Sequence, residues 1–223
     1  MKGDNIMNQE FEKICKMSQK DLKKYVVGQL KKANKNVISE DGFVFADGDF
    51  PVLLVAHLDT VHEELPTSIL YDVQKNTVSS PSGIGGDDRC GVYMILKIIK
   101  KYNCSVLFCE DEEKGLIGAT KFTKAAFAKD LDFNYIIEFD RKGKNDAVFY
   151  NCDNDEFEDF ITAEYFEKSY GSFSDISAVA PFIGRAAVNL SCGYYNAHTS
   201  EEYTIFSQLK HCLRFVKTII ERR

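Results

Sequence analysis

A histidine and an aspartate two residues apart, at the end of an apolar run, are the first features of this chain that could do chemistry. The run is Pro51-Val-Leu-Leu-Val-Ala56, and His57, Leu58 and Asp59 follow it. A short continuous run of Val and Leu reads as a buried strand. On a strand, residues two apart share a face, so His57 and Asp59 can stand side by side, the carboxylate orienting an imidazole able to bind a metal. Four more acidic or histidine elements follow. Asp87-Asp88 comes after the Gly-rich loop Ser82-Gly-Ile-Gly-Gly86. Glu110-Asp-Glu-Glu113 precedes Gly115, Asp140 stands alone, and Asn196-Ala-His198 has Glu201-Glu202 behind it. Carboxylates gathered in one place shift one another's pKa, and divalent cations remove that cost. Imidazole with carboxylate suits zinc, and also Mn or Co. Two histidines and three acids can supply two metals sharing one carboxylate, with a further carboxylate left as general base. The residue types point to metal-assisted hydrolysis.

The elements that must position these residues follow from periodicity. Strands are expected over 51–56, 105–109, 135–139 and 186–190, a short one over 43–46, and further short ones within 63–86. Helices are expected from Ser18 onward and over 87–101, 115–129, 156–170 and 202–223. Buried strands alternating with helices predict an α/β fold, a three-layer α/β/α sandwich with a mixed, largely parallel central sheet. Ligands collect beyond the carboxyl ends of such strands, which is where the acids and histidines lie.

Composition narrows the classes. The chain has 223 residues, suiting a single catalytic domain over 1–223 with residues 1–35 as a helical segment packed on it. An apolar content of 44% supports a core. A net charge of −6 without a basic block argues against nucleic acid as a partner. No apolar run approaches the roughly 18 residues of a membrane span, and the N-terminus lacks a leader's apolar region. Seven cysteines without C-x-x-C spacing suggest a reducing, cytoplasmic setting. His62 and His211 read as surface or helix-face residues, Cys109 and Cys192 as core. Tyr194 and Tyr195 read as packing or substrate contacts, and the acidic run 153–158 as the start of a solvated helix.

HLDTV, GIGGDDRCG, EDEEKGLIGA, EFDR and NAHTSEE, in this order between residues 51 and 202, resemble the motifs of the co-catalytic zinc exopeptidases. That superfamily includes peptidase T, the carboxypeptidase G-like enzymes and the bacterial leucyl aminopeptidases. The resemblance implies the zinc-exopeptidase, phosphorylase/hydrolase-like fold and two divalent ions. By position, His57 and Asp140 resemble the terminal ligands of one metal. Glu113 and His198 resemble those of the second, and Asp87 the bridging carboxylate, after which the peptide is often cis. Asp59 resembles the acid that orients His57, and Glu112 the general base. The bridging motif departs from the usual GADDK, and Gly86 in place of Ala is expected to loosen the loop. Lys114 replaces a smaller or apolar residue, and Ala186 stands where a proline is usual. The lid and dimerisation domain of peptidase T does not fit between Asp140 and His198. The implied activity is that of a dizinc aminopeptidase on short peptides. The same residues would serve a deacylase or dipeptidase on N-acyl or modified amino acids, and a non-catalytic binding protein could share the fold. The resemblance leaves the oligomeric state open.

Overall fold

Residues 2–33, 35–152 and 154–222 are described by a computed structural model of the chain. Met1, Asn34, Asp153 and Arg223, which fall within the expected N-terminal segment, the acidic run and the expected closing helix, lie outside the described residues. Helices α1 (Lys2–Cys15) and α2 (Gln19–Lys32) precede strands β1 (Val37–Glu40), β2 (Phe43–Ala46) and β3 (Phe50–His57). Then come β4 (Leu70–Asp72), β5 (Thr77–Ser79), α3 (Gly86–Ile98), β6 (Cys104–Cys109), α4 (Ile117–Lys124) and β7 (Tyr135–Arg141). The chain closes with β8 (Asp146–Val148), α5 (Asp155–Thr162), β9 (Glu167–Ser169), α6 (Asp175–Ile183), β10 (Ala186–Ser191), β11 (Tyr194–Tyr195), β12 (Tyr203–Ile205) and α7 (Phe206–Glu221).

The main sheet has the order β1-β2-β6-β3-β7-β10-β8-β9. Its four central strands, β6, β3, β7 and β10, run parallel, so their carboxyl ends share one edge. The strand interiors are apolar on both faces because both are covered. Val52, Leu54 and Ala56 join a core with Phe11, Ile14, Leu22, Val26 and residues of α3 and α7. Leu53 and Val55 face the other way, toward Ala119 and Phe122 of α4 and Ile176 and Val179 of α6. This alternation makes the three layers expected. A second, antiparallel sheet has the order β11-β12-β5-β4, its strands interleaved in sequence with those of the first: β4 and β5 lie between β3 and α3, β11 and β12 between β10 and α7. None of the described helices is long and apolar enough to cross a membrane.

Three expected helices are shorter than their periodicity suggested. The one expected over 156–170 ends at Thr162, and Glu167–Ser169 is instead an edge strand parallel to β8. Its pairing begins where Glu167 N–H donates to the Asn145 carbonyl at 2.7 Å, a partner that sequence periodicity does not report. The helix expected over 202–223 begins at Phe206, because Tyr203–Ile205 pairs with β5 and β11. The one expected over 115–129 spans Ile117–Lys124. Helix α6, not anticipated, starts at a capping box between Ser174 and Ser177 and ends at left-handed Gly184.

Candidate metal centre

His57 is the last residue of β3 and is fully buried. The pairing of β3 with β6 continues one residue further, Leu58 N–H donating to the Cys109 carbonyl at 2.8 Å. That contact aims the next residue, Asp59, across the strand ends. Asp59 lies 3.2 Å from His57 Nδ1 and accepts the backbone N–H groups of Glu112 (3.0 Å) and Glu113 (3.1 Å). One carboxylate thus orients the imidazole and also fixes the turn that carries both glutamates. Buried Arg89 secures the same stretch from below, donating to the carbonyls of Leu58 at 2.6 Å and Met17 at 3.0 Å.

Asp87 stands at the entry to α3, where it and Asp88 have non-helical backbone angles and the peptide between them is cis. Its two oxygens are divided between the two histidines. Oδ1 is 3.0 Å from His57 Nε2 and Oδ2 is 3.3 Å from His198 Nε2. Asp140 Oδ1 lies 3.7 Å from His57 Nε2, and Glu113 Oε1 lies 2.8 Å from His198 Nε2. Ligand atoms of His57, Asp87 and Asp140 fall within 4.8 Å of one another, as do those of Asp87, Glu113 and His198. The two triads share Asp87. A third overlapping group joins His57 to Glu112 and Glu113. All seven residues singled out from sequence therefore meet at one edge of the sheet. Asp88 turns inward as a helix cap, accepting Gly91 N–H at 2.8 Å.

The supporting residues were mostly not anticipated. Glu202 is fully buried and accepts Gly85 N–H (2.9 Å) and Asp87 N–H (3.0 Å), and His62 Nε2 lies 2.7 Å from its second oxygen. His62 is therefore no surface residue: it pairs with the carboxylate that holds the Asp87 loop. The tightness of that loop also reverses the expectation for Gly86. A Cβ there would lie 2.7 Å from Tyr194 Cβ and 2.9 Å from Thr204 Oγ1, so glycine permits close packing rather than looseness. Asn189 holds Asp140 by its backbone at both ends, with 2.8 Å bonds to its N–H and its carbonyl. Ser174 donates to Glu138 and, at 3.1 Å, approaches Asp140 Oδ2. Tyr194 donates to Asp140 Oδ1 at 3.1 Å, while Tyr195 turns away to Gln208. His211 packs against Tyr165 with the rings tilted by 40° and their centroids 4.0 Å apart. Cys109 and Cys192 are buried. A signal for Glu202 existed in its place four residues past His198, but a buried and a solvated glutamate look alike in sequence.

Without metal, this edge is electrostatically costly. Burial pushes Asp140 up to about 7, with the Asp87 charge adding to it. Burial likewise pushes Glu112 up to about 8, reinforced by Asp140, Asp175 and Glu113. Burial works against charge on His57, but hydrogen bonds to Asp140, Asp59 and Asp87 outweigh it and hold the ring well above its ordinary value. The hydrogen bond to Asp87 raises His198 to about 9. Burial alone would raise Asp87, but its bonds to both histidines hold it below the usual carboxylate range. Glu113 Oε1 is buried and lies near His198 without hydrogen-bond alignment. Two imidazoles and three carboxylates, one of which has an orphaned oxygen, fit divalent cations.

The chain matches the model of Peptidase family M28 over residues 26–186. No curated protein sequence matches it. Among solved structures it is similar to the aminopeptidase PepT from Bacillus cereus ATCC 10987, with a TM-score of 0.78 and 14% identity over 96% of this chain and 97% of that one. A tripeptidase from Staphylococcus aureus subsp. aureus Mu50 superposes with a TM-score of 0.74 and 12% identity, over 97% of this chain and 98% of that one. An aminopeptidase from the archaeon Desulfurococcus kamchatkensis has a TM-score of 0.75 and 14% identity, over 98% and 95%. At these identities the likeness establishes the α/β fold.

Proposed function

The chain belongs to peptidase family M28, and from that membership we propose that it is a dizinc aminopeptidase acting on short peptides. The observation that carries the reading is the division of Asp87, one oxygen toward His57 and one toward His198. His57 and Asp140 would hold one ion, Glu113 and His198 the other, and Asp87 both. Two divalent cations bound there supply Lewis acidity toward a scissile carbonyl and acidify water. Glu112 takes a proton from the attacking water at its carboxylate and returns it to the leaving amine. Asp59 keeps His57 in orientation through Nδ1. The aminopeptidases and tripeptidase that share the fold support a peptide substrate. Seven unbridged cysteines support a cytoplasmic setting.

The test is Glu112→Gln, assayed for metal by elemental analysis and for turnover on aminoacyl anilides and short peptides. Metal content is expected to stay near wild type while kcat/KM falls by about 10²–10⁴. Undiminished turnover would overturn the role given to Glu112. A wild-type protein that retains no zinc, manganese or cobalt after supplementation would overturn the centre.

A further inference from the structure

Three of the four residues after Asp140 are cations, Arg141, Lys142 and Lys144, in a chain whose net charge is −6. Two of them, Arg141 and Lys142, border the same cavity of about 600 Å³ as Asp87, Glu113, Asp140 and His198. The backbone that carries them is pinned. The Arg141 carbonyl accepts Cys192 N–H at 3.0 Å, the Lys142 carbonyl accepts Ser191 Oγ at 2.6 Å, and Gly143 N–H donates to the Tyr194 carbonyl at 2.9 Å. Arg141 is already engaged, with Asp146 at 3.2 Å and 3.3 Å and the Tyr170 carbonyl at 3.2 Å. Lys142 differs. It is exposed, and its ammonium makes no ion pair or hydrogen bond among the described residues.

The acids on this cavity wall do not satisfy that ammonium. Asp87, Glu112, Glu113 and Asp140 gather at the histidines and would face bound ions there, and nearby Asp146, outside the cavity lining, is occupied by Arg141. Among the described residues, a fixed backbone therefore presents Lys142 as an uncommitted cation on the cavity that holds the centre. An ammonium in such a place is a point donor for an anion, and carboxylate is the anion that peptides carry. We infer that Lys142 binds a carboxylate of the substrate, so that the enzyme selects peptides bearing one near the scissile bond over neutral counterparts. The inference rests on the peptide-hydrolase reading above. The carboxylate is either the free C-terminus of a di- or tripeptide or the side chain of an acidic residue.

The experiment compares metal-loaded wild type with Lys142→Met, Lys142→Arg and Lys142→Glu on two matched pairs. One pair is trialanine against trialanine amide; the other is Ala-Glu-amide against Ala-Gln-amide. In wild type, the carboxylate member of at least one pair should be preferred in kcat/KM by about tenfold to a hundredfold, as expected for a hydrogen bond to a charged group. The ratio should fall to near one in Lys142→Met, persist in Lys142→Arg and invert in Lys142→Glu. The responding pair identifies the source of the carboxylate. Equal ratios in wild type and Lys142→Met for both pairs would overturn the inference. Calorimetry with reduced-amide analogues of the same peptides, which cannot be hydrolysed, separates the two readings. Lys142-dependent carboxylate binding without hydrolysis of any peptide keeps the subsite and removes the peptidase reading. Hydrolysis of both pairs without Lys142-dependent discrimination does the reverse.

Discussion

At the amino ends of β3 and β6, the buried ammonium of Lys35 is met by the carbonyls of Asp47 (3.0 Å) and Cys104 (2.7 Å) and by Asn103 Oδ1 (2.5 Å). At the carboxyl ends of the same strands, Asp87, Glu112, Glu113 and Asp140 crowd around two histidines, and none of them pairs with a lysine or arginine among the described residues. Both ends bury charge, which is costly unless its hydrogen-bonding capacity is met. At the Lys35 end three oxygens from this chain meet it. At the other end the orphaned buried oxygens accumulate: Glu113 Oε1, Glu138 Oε1 and both oxygens of Asp175. The difference separates a polar group that serves the fold from a polar cluster that the fold leaves incomplete. Only the second calls for cations from outside the chain.

Substitutions at the two ends should therefore fail in different ways. Asp87→Ala removes the carboxylate that the two triads share, so elemental analysis should find bound metal lost and peptide turnover reduced to background. Retention of a full metal complement would collapse the contrast. Lys35→Met leaves its three oxygen acceptors without a donor and should cost about 2–3 kcal/mol of stability in urea unfolding. Its metal content per folded chain should be unchanged. A loss of metal in this variant would mean that the two ends are not independent.

The smallest effect is a pH trend that should exist only in metal-free protein. Asp140 and Glu112 are raised to about 7 and about 8, so the folded chain binds more protons than the unfolded one from the ordinary carboxylate range up to those values. Stability should therefore fall as pH rises through that window. His198, raised to about 9, adds a fall in the same direction above the ordinary histidine pKa. Asp87, held low, acts oppositely only below the usual aspartate pKa and so lies outside the window. Thermal unfolding of chelator-treated protein should show the decline from pH 5 to 9. Metal addition should oppose it, because ligation displaces the same protons. A flat profile without metal would show that the acidic edge is less strained than its geometry implies.

Much of this was legible in the sequence because burial on two faces leaves a simple mark. The strand interiors at 52–56 and 105–109 are apolar at every position except Ser105, and the first ionisable residue after each run stands where the sheet ends. The residues at those ends were thus readable as one set. The supporting layer was not. His62 and Glu202 come from loops far apart in the chain, and nothing local distinguishes them from solvated residues; Asn189 lies in an expected buried strand, but its partner Asp140 is 49 residues away in sequence. The stretch 156–170 was misread because an amphipathic period continues to look helical until a neighbouring strand offers its carbonyl to Glu167.

Residue order alone therefore determined the parallel α/β core and the membership of the acidic edge, since both depend on short-range pattern: apolar runs, and polar residues that end them. Tertiary structure alone decided which lone pairs meet. It set the two oxygens of Asp87 toward different histidines, made Gly86 a point of close packing, and left Lys142 without a partner among the described residues beside the centre. Those outcomes depend on the register and packing of elements distant in sequence, which fix directions in space that composition and spacing do not encode.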